Sequence, residues 1–174
     1  EDRDATRCNP QCTTAAIEDL RWLGLSWTEG PDGEGDHGPY FQSQRSDFYL
    51  QAWQRLAQQK NIYPSPHSRR DLETAAFAPH VSDEGESVFP KNYRPNEWVV
   101  PEHPGRVPWR FRVPDGKTIQ FIDKNFGLVQ RVAGTDFGDF VVWRRDNLAA
   151  YELAVVVDED RKSTRLNSSH LKLS

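Results

Sequence analysis

The sequence predicts an α/β domain interrupted by a small mixed insertion that contains a β-hairpin. Three observations carry that expectation. Apolar residues recur at helical spacing in 10–23 and again in 43–60. Aromatic and polar residues alternate on either side of Pro114-Asp115-Gly116, the pattern of two strands joined by a turn. A β-type run, Phe140 to Trp143, then passes through the polar turn Arg144-Arg145-Asp146-Asn147 into the apolar stretch Leu148 to Val157.

Each element has a local reason. Asn9-Pro10 supplies an N-cap and a first-turn proline, Ala16, Leu20 and Leu23 share a helical face, and Gly24 ends the helix. The acidic, Gly-rich stretch 28–38 predicts an exposed loop. A second helix is expected over Ser43 to Lys60, with Phe48, Ala52 and Leu56 on one side and Tyr49 and Trp53 beside them. Those aromatics are expected in the core rather than as a platform for stacked bases. Arg69 to Ala76 predicts a short helix, and the proline-rich stretch 78–108 a loop. Trp109, Phe111 and Val113 alternate with Arg110 and Arg112, which puts the arginines on a solvated strand face. Ile119 and Phe121 supply the returning strand, and Leu128 to Val132 a further one. No internal repeat is present.

Composition narrows the function class. The chain carries 22 Lys and Arg against 26 Asp and Glu, a net charge of −4. Residues 160–174 hold four bases and one acid, so the rest carries −7. An acidic body argues against non-specific nucleic-acid binding through a broad basic field, though not against a local basic groove. Arg69-Arg70, Arg110 with Arg112, and Arg144-Arg145 are the clusters that such a groove would use. No segment reads as a signal peptide or transmembrane run, so the cytoplasm is the expected compartment. Cys8 and Cys12 have no second pair to complete a metal site and are expected to be reduced thiols. His80 and His103 fall in loops and carry no motif.

The order DFVVxRRD followed by AYxLAVVVD within 138–159 closely resembles the catalytic core of glutamyl-tRNA synthetases, and most of all their short paralogues, the glutamyl-queuosine tRNA(Asp) synthetases. Further blocks stand in the family's order. Glu1-Asp2-Arg3-Asp4 with Arg7 resembles the end of its RIEDxDxxR segment, and Ala15 to Pro31 the helix and loop that follow. His37 to Leu56 resembles the GPYxQSxRxxxY helix start, Ile62 to Glu73 the YPCFCTRxDL segment, and Pro108 to Asp123 a hairpin of the inserted domain. The resemblance implies a partial Rossmann-type class I synthetase catalytic domain over 1–159, with 61–135 as the inserted subdomain. It implies activation of glutamate by ATP, with Mg2+, and transfer to queuosine of tRNA(Asp) by a monomeric protein. The alternatives are a glutamyl-tRNA synthetase charging tRNA(Glu), or a non-catalytic relic that kept the fold. Val155, where full-length glutamyl-tRNA synthetases usually have Asn, favours the paralogue, as does the short stretch 77–108.

The same resemblance implies roles for three residues. Glu1 falls on the glutamate that holds the substrate ammonium, and Tyr151 on the tyrosine whose hydroxyl helps bind the substrate glutamate. Arg7 falls on an arginine near the ATP and the tRNA acceptor end. Taken alone they read as a terminal acid, a packed tyrosine and a surface arginine. Many relatives hold zinc at positions that correspond here to Ser65, His67, Phe89 and Tyr93. Serine and phenylalanine are not useful zinc ligands and a structural site needs about four, so no zinc is expected. The insertion is then expected to hold by packing, with Trp98, Trp109 and Phe111 contributing.

The ends carry expectations of their own. The HIGH and KMSKS motifs of the superfamily are absent, and His37-Gly38-Pro39-Tyr40 stands in the wrong part of the order to be HIGH. The chain as it stands is therefore expected to be inactive. Asp160 to His170 reads DRKSTRLNSSH, which looks like an in-frame translation of a common sequencing adapter. On that reading 160–174 is artefact and disordered.

Overall fold

The structure is a computed structural model. It describes residues 2–3, 9–33, 35–67, 71 and 88–167, with side chains described as far as 159. Two compact units divide the chain, Glu1–Leu50 with Leu153–Ser174, and Gln51–Glu152. Among the described residues three α-helices and five strands are defined: α1 (Pro10–Trp22), α2 (Ser46–Gln58), β1 (Ile62–Pro64), β2 (Trp109–Phe111), β3 (Thr118–Asp123), β4 (Gly127–Val132), β5 (Phe140–Trp143) and α3 (Tyr151–Asn167).

The first unit holds α1 and the start of α2. Asn9 caps α1 as expected, its side-chain oxygen accepting from the Gln11 N–H at 3.0 Å. Gly24 follows the helix with φ +80°, the left-handed turn a glycine adopts without Cβ strain. No α1 residue is buried, so the Ala16-Leu20-Leu23 face lies exposed. The loop at 28–38 folds back on itself more than its composition suggests. Glu29 accepts from the His37 N–H at 3.1 Å, pairs with His37 Nδ1 at 2.6 Å, and also accepts from the Tyr40 hydroxyl. The tyrosine's bond and then the histidine's hold the Glu29 carboxyl below its usual range.

The second helix begins as a 3-10 turn at Gln42–Arg45 and becomes α-helical at Ser46. Its buried stripe is Tyr49, Trp53 and Ala57, spaced by four, while Phe48 is exposed. Tyr49 and Trp53 lie in the core as expected, while the neighbouring Phe48-Ala52-Leu56 side is exposed at Phe48 and only half-buried at Ala52 and Leu56. Both stripes have helical period, so spacing alone does not choose between them.

In the second unit β1, β2 and β5 form an antiparallel sheet in that order. Trp53 packs edge-on against Trp109 at 4.9 Å and tilts against Trp143 at 6.3 Å. Phe111 and Phe140 face each other across the β2–β5 ladder with rings stacked at 5.4 Å. Trp109 and Phe111 thus pack as the sequence suggests, and the Trp98 ring lies 6.1 Å from that of Tyr63.

The hairpin is not the one expected. β3 pairs with β4 around the turn at 124–126, whereas β2 belongs to the other sheet. Pro114 does open a turn, with the Lys117 N–H donating to its carbonyl at 3.0 Å. That turn carries the chain out of the sheet, because the Val113 N–H is taken at 2.9 Å by the Asp139 carboxylate instead of by a returning strand. The expected solvated arginine face is also wrong at Arg110. It is buried, its guanidinium lies 4.2 Å over the Phe89 ring, and Nη1 donates to the Asp139 carbonyl at 3.1 Å. Burial pulls its pKa below the ordinary arginine value. Arg112 is exposed, as the alternation suggests.

Asp139 is the polar centre of this unit. Its carboxylate accepts from the Tyr63 hydroxyl at 2.5 Å and from Arg94 Nε and Nη2, both at 2.7 Å. Arg94 also reaches Asp115 at 2.6 Å, and these two acids hold its pKa above the ordinary value. Burial and the same carboxylate push the Tyr63 phenol up.

Candidate functional site

The segment from β5 to α3 positions Tyr151. After Trp143 the chain turns tightly: the Arg144 N–H donates to the Leu148 carbonyl at 2.7 Å, and the Asn147 N–H to Arg144 at 3.2 Å. Asn147 takes φ 62°, which an asparagine tolerates, and its side chain accepts from the Trp143 indole at 3.2 Å. The return leg stays extended. Ala149 bridges Trp143, and the Ala150 N–H donates to the Val142 carbonyl at 2.8 Å. These bonds delay the helix, which starts at Tyr151 and not at Leu148 as the apolar pattern suggests. Tyr151 therefore stands at the first helical position with 63% of its surface exposed. It is not a packing residue.

Within the first unit a second cluster surrounds Asp158, seven residues along α3. Asp158 accepts from Gln42 Nε2 at 2.8 Å, from the Tyr49 hydroxyl at 3.0 Å, and pairs with Arg45 Nη1 at 2.9 Å. Arg45 is 7% exposed, so this ion pair is largely withdrawn from water. Burial first and then the Asp158 carboxylate push the Tyr49 phenol up to about 12. The N-terminal segment is tied to the same helix start. Asp2 accepts from the Ser43 N–H at 3.0 Å and from the Ser43 hydroxyl, and the Arg3 guanidinium lies 4.5 Å over the Tyr49 ring. Burial raises the Asp2 carboxyl, but the Ser43 bonds outweigh it and leave it below its usual range. Sequence reasoning missed Gln42, Arg45, Tyr49 and Asp158 as a cluster. The available signal was Arg45 and Asp158 standing inside otherwise packed motifs.

Of the three residues with expected substrate roles, only Tyr151 falls among the described residues; Glu1 and Arg7 lie outside them, as do Arg69-Arg70, His80 and Cys8. Cys12 is an exposed free thiol. Of Ser65, His67, Phe89 and Tyr93, the structure brings the last three together in the second unit, as rings in contact. His67 stacks on Tyr93 at 4.1 Å and 12°, and Phe89 sits 6.4 Å from His67 and 5.9 Å from Tyr93. Ser65 is fully buried. Among the described residues no three His, Cys, Asp or Glu side chains are placed to hold a metal ion. No helix of the described residues is long and apolar enough to cross a membrane.

Comparison with known proteins gives this arrangement a family. Residues 1–164 match tRNA synthetases class I (E and Q), catalytic domain. The chain is 44% identical over 164 residues to the glutamyl-Q tRNA(Asp) synthetase of Symbiobacterium thermophilum, covering 91% of this chain and 50% of that protein. It is 35% identical over 165 residues to the glutamate–tRNA ligase of the same organism, covering 91% of this chain and 33% of that one. The chain thus spans about half the length of the first relative and a third of the second. The crystal structure of a glutamate–tRNA synthetase from Elizabethkingia anophelis superposes with a TM-score of 0.70 at 19% identity, over 94% of this chain and 35% of that one. The α/β architecture is that of a partial Rossmann-type class I synthetase catalytic domain with a mixed insertion. The chain belongs to the family of class I tRNA synthetase (E and Q) catalytic domains, a family of aminoacyl-tRNA synthetase-type ligases.

Proposed function

We propose that the complete protein activates glutamate with MgATP and transfers it to queuosine of tRNA(Asp). The observation that carries this reading is the block around Tyr151. The turn after β5 leads into an exposed tyrosine, followed by Val155, in a chain more similar to a glutamyl-Q tRNA(Asp) synthetase than to a glutamate–tRNA ligase of the same organism.

Activation is attack of the glutamate carboxylate on the α-phosphorus of ATP, releasing pyrophosphate and forming a mixed anhydride. The nucleoside hydroxyl then attacks the activated carbonyl and AMP leaves. Neither step needs a covalent bond to the protein; alignment and charge stabilisation suffice. In this reading Tyr151 donates its hydroxyl to the substrate glutamate, Glu1 pairs with its ammonium, and Arg7 serves the ATP and the tRNA acceptor end. Residues 61–135 are the inserted subdomain, and the protein acts as a cytoplasmic monomer.

The test is to sequence the source locus through 160–174, express the complete reading frame, and follow radiolabelled glutamate onto tRNA(Asp) and tRNA(Glu). ATP-dependent transfer to queuosine-containing tRNA(Asp) alone supports the proposal. Transfer to tRNA(Glu) alone replaces it with the glutamyl-tRNA synthetase reading, which the 35% relative already supports. Absence of both removes the catalytic reading.

A further inference from the structure

We propose that Asp2 and Ser43 are positioning residues for glutamate recognition: the bonds between them fix the residues that follow Glu1 against the start of α2. This inference rests on reading the protein as a glutamate-activating enzyme in which Glu1 pairs with the substrate ammonium, and it names the side chains that hold that group in place. Asp2 is the next residue in the chain. Its carboxylate takes two bonds from one partner: the Ser43 N–H donates to Oδ1 at 3.0 Å, and the Ser43 hydroxyl donates to Oδ2. Two donors on two oxygens fix both the place and the tilt of the carboxylate, which a single bond does not. Arg3 adds a further tether, its guanidinium lying 4.5 Å over the Tyr49 ring.

The receiving surface has its own reason to take these residues. The turn that opens α2 begins after Phe41, whose side chain offers no cap. The first N–H groups of a helix have no partner within it. Asp2 supplies the missing acceptor at Ser43, and a carboxylate suits the positive end of the helix dipole. Burial raises the Asp2 carboxyl, but the Ser43 bonds outweigh it and keep it below its usual range, so the acceptor stays charged at neutral pH. The Arg3 tether rests on a locked base. Tyr49 is fully buried and donates to Asp158 at 3.0 Å, and Gln42 at 2.8 Å and Arg45 at 2.9 Å hold the same carboxylate.

The Asp2–Ser43 bonds are not a packing device. Ser43 is exposed and Asp2 half-buried, so removing the serine hydroxyl opens no cavity and contributes little to the stability of the fold. What the bonds do fix is the backbone next to Glu1. A carboxylate that receives a substrate ammonium works only when held within about 0.5 Å of its place, and residues that never touch the ligand supply that restraint.

The experiment uses the complete gene product with Ser43→Ala, Asp2→Asn, Ser43→Thr, Glu1→Gln and the pair Glu1→Gln with Ser43→Ala, after melting midpoints have been compared. Glutamate-dependent ATP–pyrophosphate exchange, with the accepting tRNA present, gives kcat and the KM for glutamate and for ATP. Ser43→Ala and Asp2→Asn are expected to raise the KM for glutamate about five- to tenfold and to leave kcat and the KM for ATP within about twofold, because an ammonium partner serves ground and transition states alike. Ser43→Thr keeps the hydroxyl and should stay within about twofold of wild type. Glu1→Gln should raise the KM for glutamate, and Ser43→Ala added to it should change nothing more, since the serine acts through Glu1. An active enzyme in which Ser43→Ala and Asp2→Asn keep the wild-type KM sinks the positioning alone, as does full additivity of Ser43→Ala with Glu1→Gln. A lower melting midpoint with equal losses for both substrates assigns these bonds to the fold and overturns the inference too. Glu1→Gln at the wild-type KM removes the ammonium pairing and the positioning with it. A wild-type protein that neither exchanges nor transfers glutamate sinks the catalytic reading itself, and the positioning falls with that reading.

Discussion

Replacing Asp139 by alanine is expected to cost the second unit about 3–5 kcal/mol. Asp139 is 4% exposed, and its carboxylate accepts four hydrogen bonds, from Tyr63, from Arg94 twice and from the Val113 N–H. Arg94 keeps Asp115, so its charge is not left wholly unpaired. The buried Tyr63 hydroxyl and Val113 N–H have no such reserve, and an orphaned buried donor costs about 1–3 kcal/mol. With a urea m-value of about 2 kcal/mol/M, the midpoint falls by about 2 M. Tryptophan emission is the natural readout, because Trp53, Trp109 and Trp143 pack together in the same unit. A second substitution sharpens the test. Tyr63→Phe in the Asp139→Ala background removes one orphan and should recover about 1–2 kcal/mol, whereas the same change in the wild type should destabilise. If Asp139→Ala costs under about 1 kcal/mol, or the two changes simply add, the carboxylate is not the unit's organising centre.

Four further outcomes follow from the geometry. Tyr49 has a phenol pKa raised to about 12, so the unfolded chain ionises first and stability falls as pH rises from the ordinary tyrosine value toward 12. The span is at most about 2–3 kcal/mol, and Tyr49→Phe should remove that part of the alkaline decline, leaving the contribution of the other raised phenols; an unchanged profile would refute the Asp158 bond. On the acid side Glu29 lies below its usual range, so its contribution is complete above that range and is lost as pH falls through the depressed value. Glu29→Gln should flatten that limb in an acid titration of the melting midpoint. Treatment with EDTA should leave the melting midpoint unchanged, since His67 stacks on Tyr93 and Phe89 meets Tyr93 edge-on; a fall restored by zinc would show that these residues hold a metal after all. Finally, Tyr151→Phe in the complete protein should raise the KM for glutamate about tenfold or more with little effect on the KM for ATP, because an exposed hydroxyl is removed without a packing change.

What could be read in the chain, and what could not, divides by sequence distance. The cap at Asn9, the bend at Gly24, the strand Phe140–Trp143 and the turn ending in Asn147 are local devices, and each is found where its residues stand. The pairing of β2 is not local. Its alternation is genuine, but alternation does not name a partner, and the N–H that a hairpin needs at Val113 goes to a side chain 26 residues away. Arg110 escaped for the same reason: an arginine in an alternating strand reads as solvated unless the ring and carbonyl that receive it, at Phe89 and Asp139, are known. In the candidate site the motif singles out Tyr151, and the structure adds that this residue is exposed at the start of α3. The Asp158 cluster was not legible, because its partners lie 109 and 116 residues apart in the chain.

That cluster also explains why α2 buries Tyr49 and leaves Phe48 exposed. Phe48 and Tyr49 are adjacent aromatics of similar volume, and hydrophobic burial alone has little reason to prefer either. Asp158 does. Its carboxylate is half-buried against the buried Arg45 and takes donors on its remaining lone pairs, and of the two rings only the tyrosine offers an O–H. Turning Phe48 inward instead would leave that acceptor short of a partner and the Tyr49 phenol without its carboxylate. The helix face is thus chosen by a polar bond within an otherwise apolar stripe. Tyr49→Phe should therefore lower stability while keeping the helix, and Phe48→Tyr added to it should not restore what was lost. Recovery in that double variant, measured by urea titration, would show that the face is set by ring packing and not by Asp158.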